Sequence, residues 1–339
     1  METPDTTDHQ VASVVLTRAD LVRGPEAKRE KVKETLLNII EGRIQNPNTR
    51  SAYRIAFRRF FEFCSEYKLE FDRIKPYHFG LFLKRHLGSV ATQRQHLAAV
   101  RLLFDHLLEQ GVVDSNPAAR AKPPRLQREN SHTPTFEDHE IKAFLGAIKL
   151  ETLLDIRDKA LFSVLAYSWA RVSAVAALKV EDYYERKGQR WLRFHEKRGK
   201  IHEVPVHSNA RGAIDQWLAA SGLGSDPSAP LFPAFAKDKK TFDKVFAEDK
   251  KTLKLRHMDR RGIWWLVQAR AKASGLEKKV CCHSFRATGI TAYMNAGGAL
   301  DIAQRIAGHS QLSTTKIYDR SQDRVTVAEI ERVSFEQKP

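Results

Sequence analysis

The side chains best suited to chemistry lie near the C-terminal end, in HSFRATGITAY (residues 283–293) and GHSQLSTTKIYDR (residues 308–320). His283 and Arg286 stand three apart, so on a helix they share a face and can grip one anion together. The HxxR spacing says little by itself, because it also occurs at His195–Arg198 and His257–Arg260. What singles out the third copy is its company: Gly308-His309 follows it, and then Tyr318. A phenol with a pKa near 10 is a poor nucleophile at neutral pH, so a tyrosine that attacks needs cations beside it or a base such as His283. Displacing a phosphodiester in this way builds negative charge on the non-bridging oxygens, and fixed cations in a water-poor site lower that barrier.

Groups of this kind need a scaffold to hold them. Residues 1–25 lack helical periodicity and read as a flexible leader. From Glu26 the pattern turns helical, with Val32, Leu36, Leu37, Ile39 and Ile40 on one side. After Asn48-Thr49, Tyr53, Phe57, Phe60, Phe61 and Cys64 recur at spacings of three and four, an apolar stripe that belongs in a core. A short apolar run spans Pro76 to His86. A further helix begins near Ser89 and buries Leu97, Val100, Leu103, Phe104 and Leu107, leaving Arg94 and Arg101 on or near its other side. The prolines of NPAARAKPPR (residues 116–125) end helical structure, and the polar, aperiodic stretch to Pro134 marks a domain boundary.

Beyond it, a helix is expected in FEDHEIKAFLGAIK after Pro134-Thr135, and one or two buried helices from Asp155 to Leu178. The period then changes: Val180 to Tyr184, Trp191 to His195 and Ile201 to Val206 read as three strands, with turns at Lys187-Gly188 and Arg198-Gly199. Helices resume through Trp217, Trp264 and Trp265. Thr326 and Glu329 fit a capping box for a last short helix with Val327, Ile330 and Val333 on its apolar side. The expected fold is mainly α with a small antiparallel β-sheet. Its expected parts are a leader (1–25), an N-terminal helical domain (26–120), a linker (121–134), a C-terminal domain holding the chemistry (135–325) and a tail helix (326–339).

The charge balance narrows the partner. The 339 residues carry 57 Lys and Arg against 41 Asp and Glu, a formal charge of +16, which favours a polyanion through counterion release. Residues 26–128 hold 20 basic and 11 acidic side chains, and residues 129–339 hold 35 and 26, so each body is separately basic at +9. Three cysteines give no legible disulfide framework and point to a reducing compartment. The start of the chain is acidic and polar, and no apolar run approaches the roughly 20 residues of a membrane span, so a cytoplasmic, nucleoid-associated protein is expected. Zinc is a poor fit to Cys281, Cys282, His283 and His309, because adjacent cysteines rarely share one ion and a second ligand pair is missing.

The blocks HSFR, GHSQLSTT and IYDR resemble, in order and spacing, the tyrosine recombinase family, also called the phage integrase family. Upstream, LLDIRDKALFSVLAYSWARVSAVAALKVED is similar to the block that carries the family's first catalytic arginine, which falls on Arg171. FHEKRGKIHEVPV is similar to its lysine hairpin, which places that lysine at Lys197, with Lys200 the next candidate. NTRSAYRIAFRRFFEFC, TQRQHLAAVRLLFDHL and NPAARAKPPR are similar to the family's helical core-binding domain.

The resemblance implies a site-specific recombinase or integrase that cleaves and rejoins DNA through a 3′-phosphotyrosyl intermediate, serving a mobile element. It implies Tyr318 as nucleophile and Arg171, Lys197, His283, Arg286 and His309 as the other catalytic residues; chemistry suggests their parts, with arginine forks for the phosphate, cations or a base such as His283 for the phenol, a hydrogen bond from His309 to the phosphate and a proton from Lys197 for the departing 5′-oxygen. No cofactor and no metal are expected, because guanidinium groups do the work of metal ions. The implied partners are double-stranded DNA carrying a specific site and three further protomers, four on two sites, with accessory proteins unspecified. Candidate DNA contacts are Arg50, Arg54, Arg94, Arg101, Lys122, Arg125 and Lys200. The alternatives are a type IB-like topoisomerase, or a non-catalytic DNA-binding regulator.

Two departures stand out. The acidic residue usual three positions after the first arginine is Ala174 here, which leaves Asp158, Glu181 or Asp182 to serve Arg171 instead. The small Thr-Gly pair usual before that arginine is replaced by Ser168-Trp169-Ala170.

Overall fold

Side-chain caps set where the first helices start. Asn46 accepts hydrogen bonds from the backbone N–H groups of Asn48 and Thr49, and Pro47 fills the first helical position. Ser89 accepts from the N–H of Thr92. In the computed structural model, residues 25–125, 133–196, 199–234 and 256–318 are described, and the chain divides into two units, residues 1–127 and residues 128–339. The sequence expectations for the leader, for Lys197 and for the tail helix fall outside the described residues.

In the first unit, α1 (Glu26–Leu37) runs into a π-helical turn (Asn38–Arg43), followed by α2 (Pro47–Glu66), α3 (Pro76–Lys84) and α4 (Val90–Glu109). The apolar stripe of α2 is core as expected: Phe57, Phe60, Phe61 and Cys64 are fully buried. Phe60 stacks on Phe79 at 5.7 Å and meets Phe104 edge-on at 5.9 Å, which locks α2, α3 and α4 together. Leu37 departs from the expectation and is exposed. It lies about 100° around the axis from Leu36, and the wider turn that follows swings Ile39 and Ile40 back into the core.

The second unit runs α5 (Asp138–Gly146), α6 (Leu153–Ser168), α7 (Val172–Ala176), β1 (Tyr183–Arg186), β2 (Gln189–His195), β3 (Ile201–Pro205), α8 (Ser208–Ser221), α9 (Arg260–Ala273), α10 (Cys282–Asn295), α11 (Leu300–Ala307) and α12 (Leu312–Lys316). The expected helical fold with one three-stranded antiparallel sheet is present, in strand order β1-β2-β3. Both Lys187 and Gly188 have positive φ, the geometry of a two-residue hairpin. Phe136, Phe144, Phe162 and Phe285 form a ring cluster that seats α10 on α5 and α6.

Three boundaries differ from the sequence expectation for local reasons. α5 begins at Asp138, not after Pro134, because the Glu140 carboxylate accepts from the Glu137 N–H. Val180–Asp182 is a 3-10 turn and not strand, closed by the Asp182 carboxylate accepting from the Lys179 N–H. The Asp155–Leu178 stretch is two helices, broken where Trp169 turns left-handed at φ 54. Among the described residues no helix is long and apolar enough to cross a membrane.

Candidate active site

The Trp169 break aims Arg171. Leaving α6 in a left-handed conformation, the chain places Arg171 at the start of α7 with its side chain 45 % exposed. Arg286, on α10, is the opposite case: it is 2 % exposed, its Nη1 donating to the Trp169 carbonyl and its Nη2 to the Ala307 carbonyl at 2.7 Å. Two backbone carbonyls from separate elements hold this guanidinium rigidly. Burial and the neighbouring Arg171 charge lower its pKa to about 10, so it stays a cation at neutral pH.

His283 sits three residues earlier on α10, and its Nε2 lies 2.8 Å from the Tyr318 hydroxyl. Burial, Arg286 and Arg171 lower the pKa of His283, which favours the neutral ring. With its proton on Nδ1, that ring accepts the phenol hydrogen at Nε2. Tyr318 follows α12, is buried, and has its carbonyl within reach of the Thr291 hydroxyl at 3.5 Å. Tyr293, the other tyrosine of the motif, packs instead against Trp169 with ring centroids 5.4 Å apart.

His309 follows the left-handed Gly308 that ends α11. Its N–H donates to the Gln304 carbonyl and the Gln304 amide donates back to the His309 carbonyl, both at 3.1 Å. The ring stacks parallel to that of Tyr318, with 7° between planes and centroids 6.1 Å apart. Burial, then the charges of Arg286 and Arg171, lower its pKa to about 3, so the ring is neutral and holds one N–H. The Thr315 hydroxyl lies 2.8 Å from His309 Nδ1. Where that hydroxyl donates, Nε2 keeps the hydrogen and faces the site as a donor.

The structure thus brings Arg171, His283, Arg286, His309 and Tyr318 into one unit around a small region. Lys200 is exposed at the foot of the β2–β3 turn, close enough for its charge to depress His309 further. Glu196, Thr315 and the Trp169 carbonyl were not singled out by the sequence reading. Only the Ser-Thr-Thr run before Tyr318 signalled Thr315, and nothing local signalled the other two.

None of the three acids expected to serve Arg171 does so. Asp158 is occupied by Arg157 at 2.6 Å and Arg270 at 2.8 Å, Asp182 by His195 at 2.9 Å, and Glu181 by Lys179 at 3.1 Å. The carboxylate that meets Arg171 Nη1 belongs to Glu196, at the end of the second strand.

The basic residues read as DNA-facing in the first unit divide into two groups. Arg54 is 4 % exposed and bound to Glu41 at 2.8 Å, and Arg50 donates to the Ile44 carbonyl at 3.2 Å. Arg94 and Arg101 reach the carbonyls of Pro124 and Ala118, tying the proline-rich segment to α4. Arg50, Arg54 and Arg101 scaffold their unit, whereas Arg94 is exposed and spends one nitrogen on the Pro124 carbonyl. Lys122 and Arg125 are exposed.

The chain is similar to known proteins over most of its length. The tyrosine recombinase XerC of Leptospira interrogans serogroup Icterohaemorrhagiae serovar copenhageni is 26 % identical over 302 residues, covering 87 % of this chain and 91 % of that protein. The tyrosine recombinase XerD of Shewanella oneidensis is 25 % identical over 279 residues, covering 80 % and 85 %. In structure, the XerH site-specific recombinase bound to palindromic difH substrate in its post-cleavage complex superposes with a TM-score of 0.64 at 16 % identity, over 98 % of each chain. A lambda integrase dimer bound to a COC′ core site also superposes with a TM-score of 0.64, at 13 % identity, over 88 % of this chain and 78 % of that one. Those two likenesses establish the fold. The profile of the phage integrase family matches residues 134–324, the stretch that carries every side chain of the cluster, and the chain belongs to that family.

Proposed function

We propose that this protein is a site-specific DNA recombinase that cuts and rejoins strands through a covalent bond between Tyr318 and a 3′-phosphate. The observation that carries the reading is the 2.8 Å contact between Tyr318 Oη and His283 Nε2, beside the buried cation of Arg286. The relatives XerC and XerD are tyrosine recombinases of nearly this chain's length, which supports the same reaction class here.

In the cleavage step the Tyr318 oxygen attacks phosphorus, its proton passing to His283. The bond to the 5′-oxygen breaks, and that oxygen takes a proton from Lys197. Arg171 and Arg286 hold the non-bridging oxygens as their charge grows, and His309 donates to one of them. The phosphotyrosyl ester keeps the bond energy, so a 5′-hydroxyl from the second strand reverses the step without ATP. Arg94, Lys122 and Arg125, exposed in the first unit, are the candidates there for phosphate contact. Four protomers on two specific sites, in the service of a mobile element, complete the proposal.

A nicked suicide substrate that loses its 5′-hydroxyl by diffusion tests it. Wild-type protein should accumulate as a covalent DNA complex, and paired sites should yield recombinant product. Covalent capture with relaxation of supercoils but no product from paired sites would indicate a topoisomerase instead. Binding with no capture would indicate a regulator.

A further inference from the structure

Arg171 is held in a way unlike Arg286. It stands at the first turn of a five-residue helix, where its own carbonyl accepts from the N–H groups of Ala174 and Val175. One turn on, Ala174 is buried among apolar neighbours and offers no acceptor. A guanidinium nearly half exposed on so short a helix has many rotamers, and a phosphate would have to order it at an entropic cost. Glu196 limits that freedom. Its backbone N–H donates to the Lys200 carbonyl at 2.8 Å, closing the turn between the second and third strands. Its carboxylate, with a side chain only 10 % exposed, pairs through Oε1 with Arg171 Nη1.

The same oxygen lies close over the Gly308 backbone. A Cβ built there would come 3.3 Å from Glu196 Oε1 and 2.9 Å from His202 Nδ1, at a φ of +65. His202 is itself fixed, its Nε2 2.8 Å from the Arg305 carbonyl. The carboxylate is therefore wedged between Arg171 and the segment leading to His309. Its negative charge also acts on Arg286, favouring the charged guanidinium.

We infer that Glu196 is a positioning residue for the DNA-cleaving reaction, anchoring one Nη of Arg171 so that the rest of the guanidinium faces the scissile phosphate. The inference rests on the function proposed above. Glu196 touches no reacting atom; it acts through Arg171.

The test uses the full chain and a suicide duplex. Glu196→Gln keeps the shape and removes the charge. It should slow covalent capture about 10- to 100-fold, the scale on which partners of ligand-holding side chains act, while duplex affinity and melting temperature stay near wild type. Glu196→Asp should recover part of the rate. On a duplex whose 5′-bridging oxygen is replaced by sulfur, which leaves as thiolate without a proton, the Gln variant should remain slow, because Arg171 serves the non-bridging oxygens.

Capture by the Gln variant at the wild-type rate or faster would overturn the inference, the faster rate meaning that Glu196 is an anion the phosphate must displace. Recovery on the sulfur duplex would also overturn it, assigning Glu196 to the adjacent Lys197. Should the Gln variant melt far below wild type, Glu196→Asp decides by the same comparison. If wild-type protein captures neither duplex, it is the function reading that fails.

Discussion

Tyr318 Oη and His283 Nε2 are 2.8 Å apart, and the histidine that meets the phenol shares a helix with the most deeply buried guanidinium of the site. One rigid element therefore places both the base and a phosphate clamp. Tyr318→Phe removes the attacking oxygen with little change in volume, so duplex binding should persist while covalent capture vanishes. Gel-shift and denaturing-gel assays on the same duplex separate the two. Persistent capture by the Phe variant would shift attention to Tyr293. His283→Gln should slow capture by about 10²- to 10⁴-fold, as expected for loss of a general base.

Acid should weaken both fold and catalysis, and in the same direction. His283 and His309 have pKa values lowered in the folded protein, His309 to about 3, whereas an unfolded histidine titrates near 6.5. Below about pH 6.5 the unfolded chain then binds more protons than the folded one, so stability falls as pH falls towards about 3. Melting temperature should decline from pH 7 to pH 5, and His309→Asn should flatten part of that decline. Capture should hold its rate near pH 6.5, where an unperturbed histidine base would be half protonated, and fall only below it. An unchanged slope in the Asn variant would contradict the assignment to His309.

Ala174 has packed into the core of the second unit, and Arg171 already has a carboxylate partner in Glu196. Ala174→Glu should therefore destabilise the fold without speeding cleavage. Burying a carboxylate with no prepared partner costs a few kcal/mol, enough to lower the melting temperature by about 4 °C or more. A thermal melt beside a capture assay checks both halves. A faster, equally stable variant would show that the site has room for a second carboxylate.

Trp169 occupies a left-handed position that glycine would take with less strain, yet its ring packs on Gly289 and Tyr293 while its carbonyl anchors Arg286. Relief of strain is worth about 1–2 kcal/mol, whereas emptying a tryptophan site costs about 3–5 kcal/mol. Trp169→Gly should be net destabilising, measured by chemical denaturation. Gly289→Ala should lower stability and capture together, because its methyl group would lie 2.1 Å from the indole.

Each unit has its own apolar core and carries its own basic excess. A fragment of residues 129–339 should bind a target duplex more weakly than the whole chain and with a shallower dependence of log K on log salt, by about 0.9 for each phosphate that the first unit would neutralise. Equal slopes would mean that the first unit neutralises none.

Much of this protein was legible in the linear order of its residues, because the relevant physics is local. Spacings of three and four set Phe57, Phe60 and Phe61 on one face of a helix, and hydrophobic burial then makes that face core. The same periodicity put His283 and Arg286 side by side, and the chemistry of phenol, imidazole and guanidinium pointed to an anionic ester. Tertiary packing decided the partners. Glu196 stands 25 positions from Arg171 and reaches it where the end of β2 packs beside Gly308, while Asp158, closer in sequence, is held by Arg157 and Arg270. Arg54 reads as a surface cation, yet it is buried against Glu41. The anchors of Arg286 are backbone carbonyls, at Trp169 and Ala307, which every residue possesses and no motif can mark. Periodicity specifies which side chains share a face of one element; which groups meet across elements depends on how those faces dock, and that is settled only when the whole core closes.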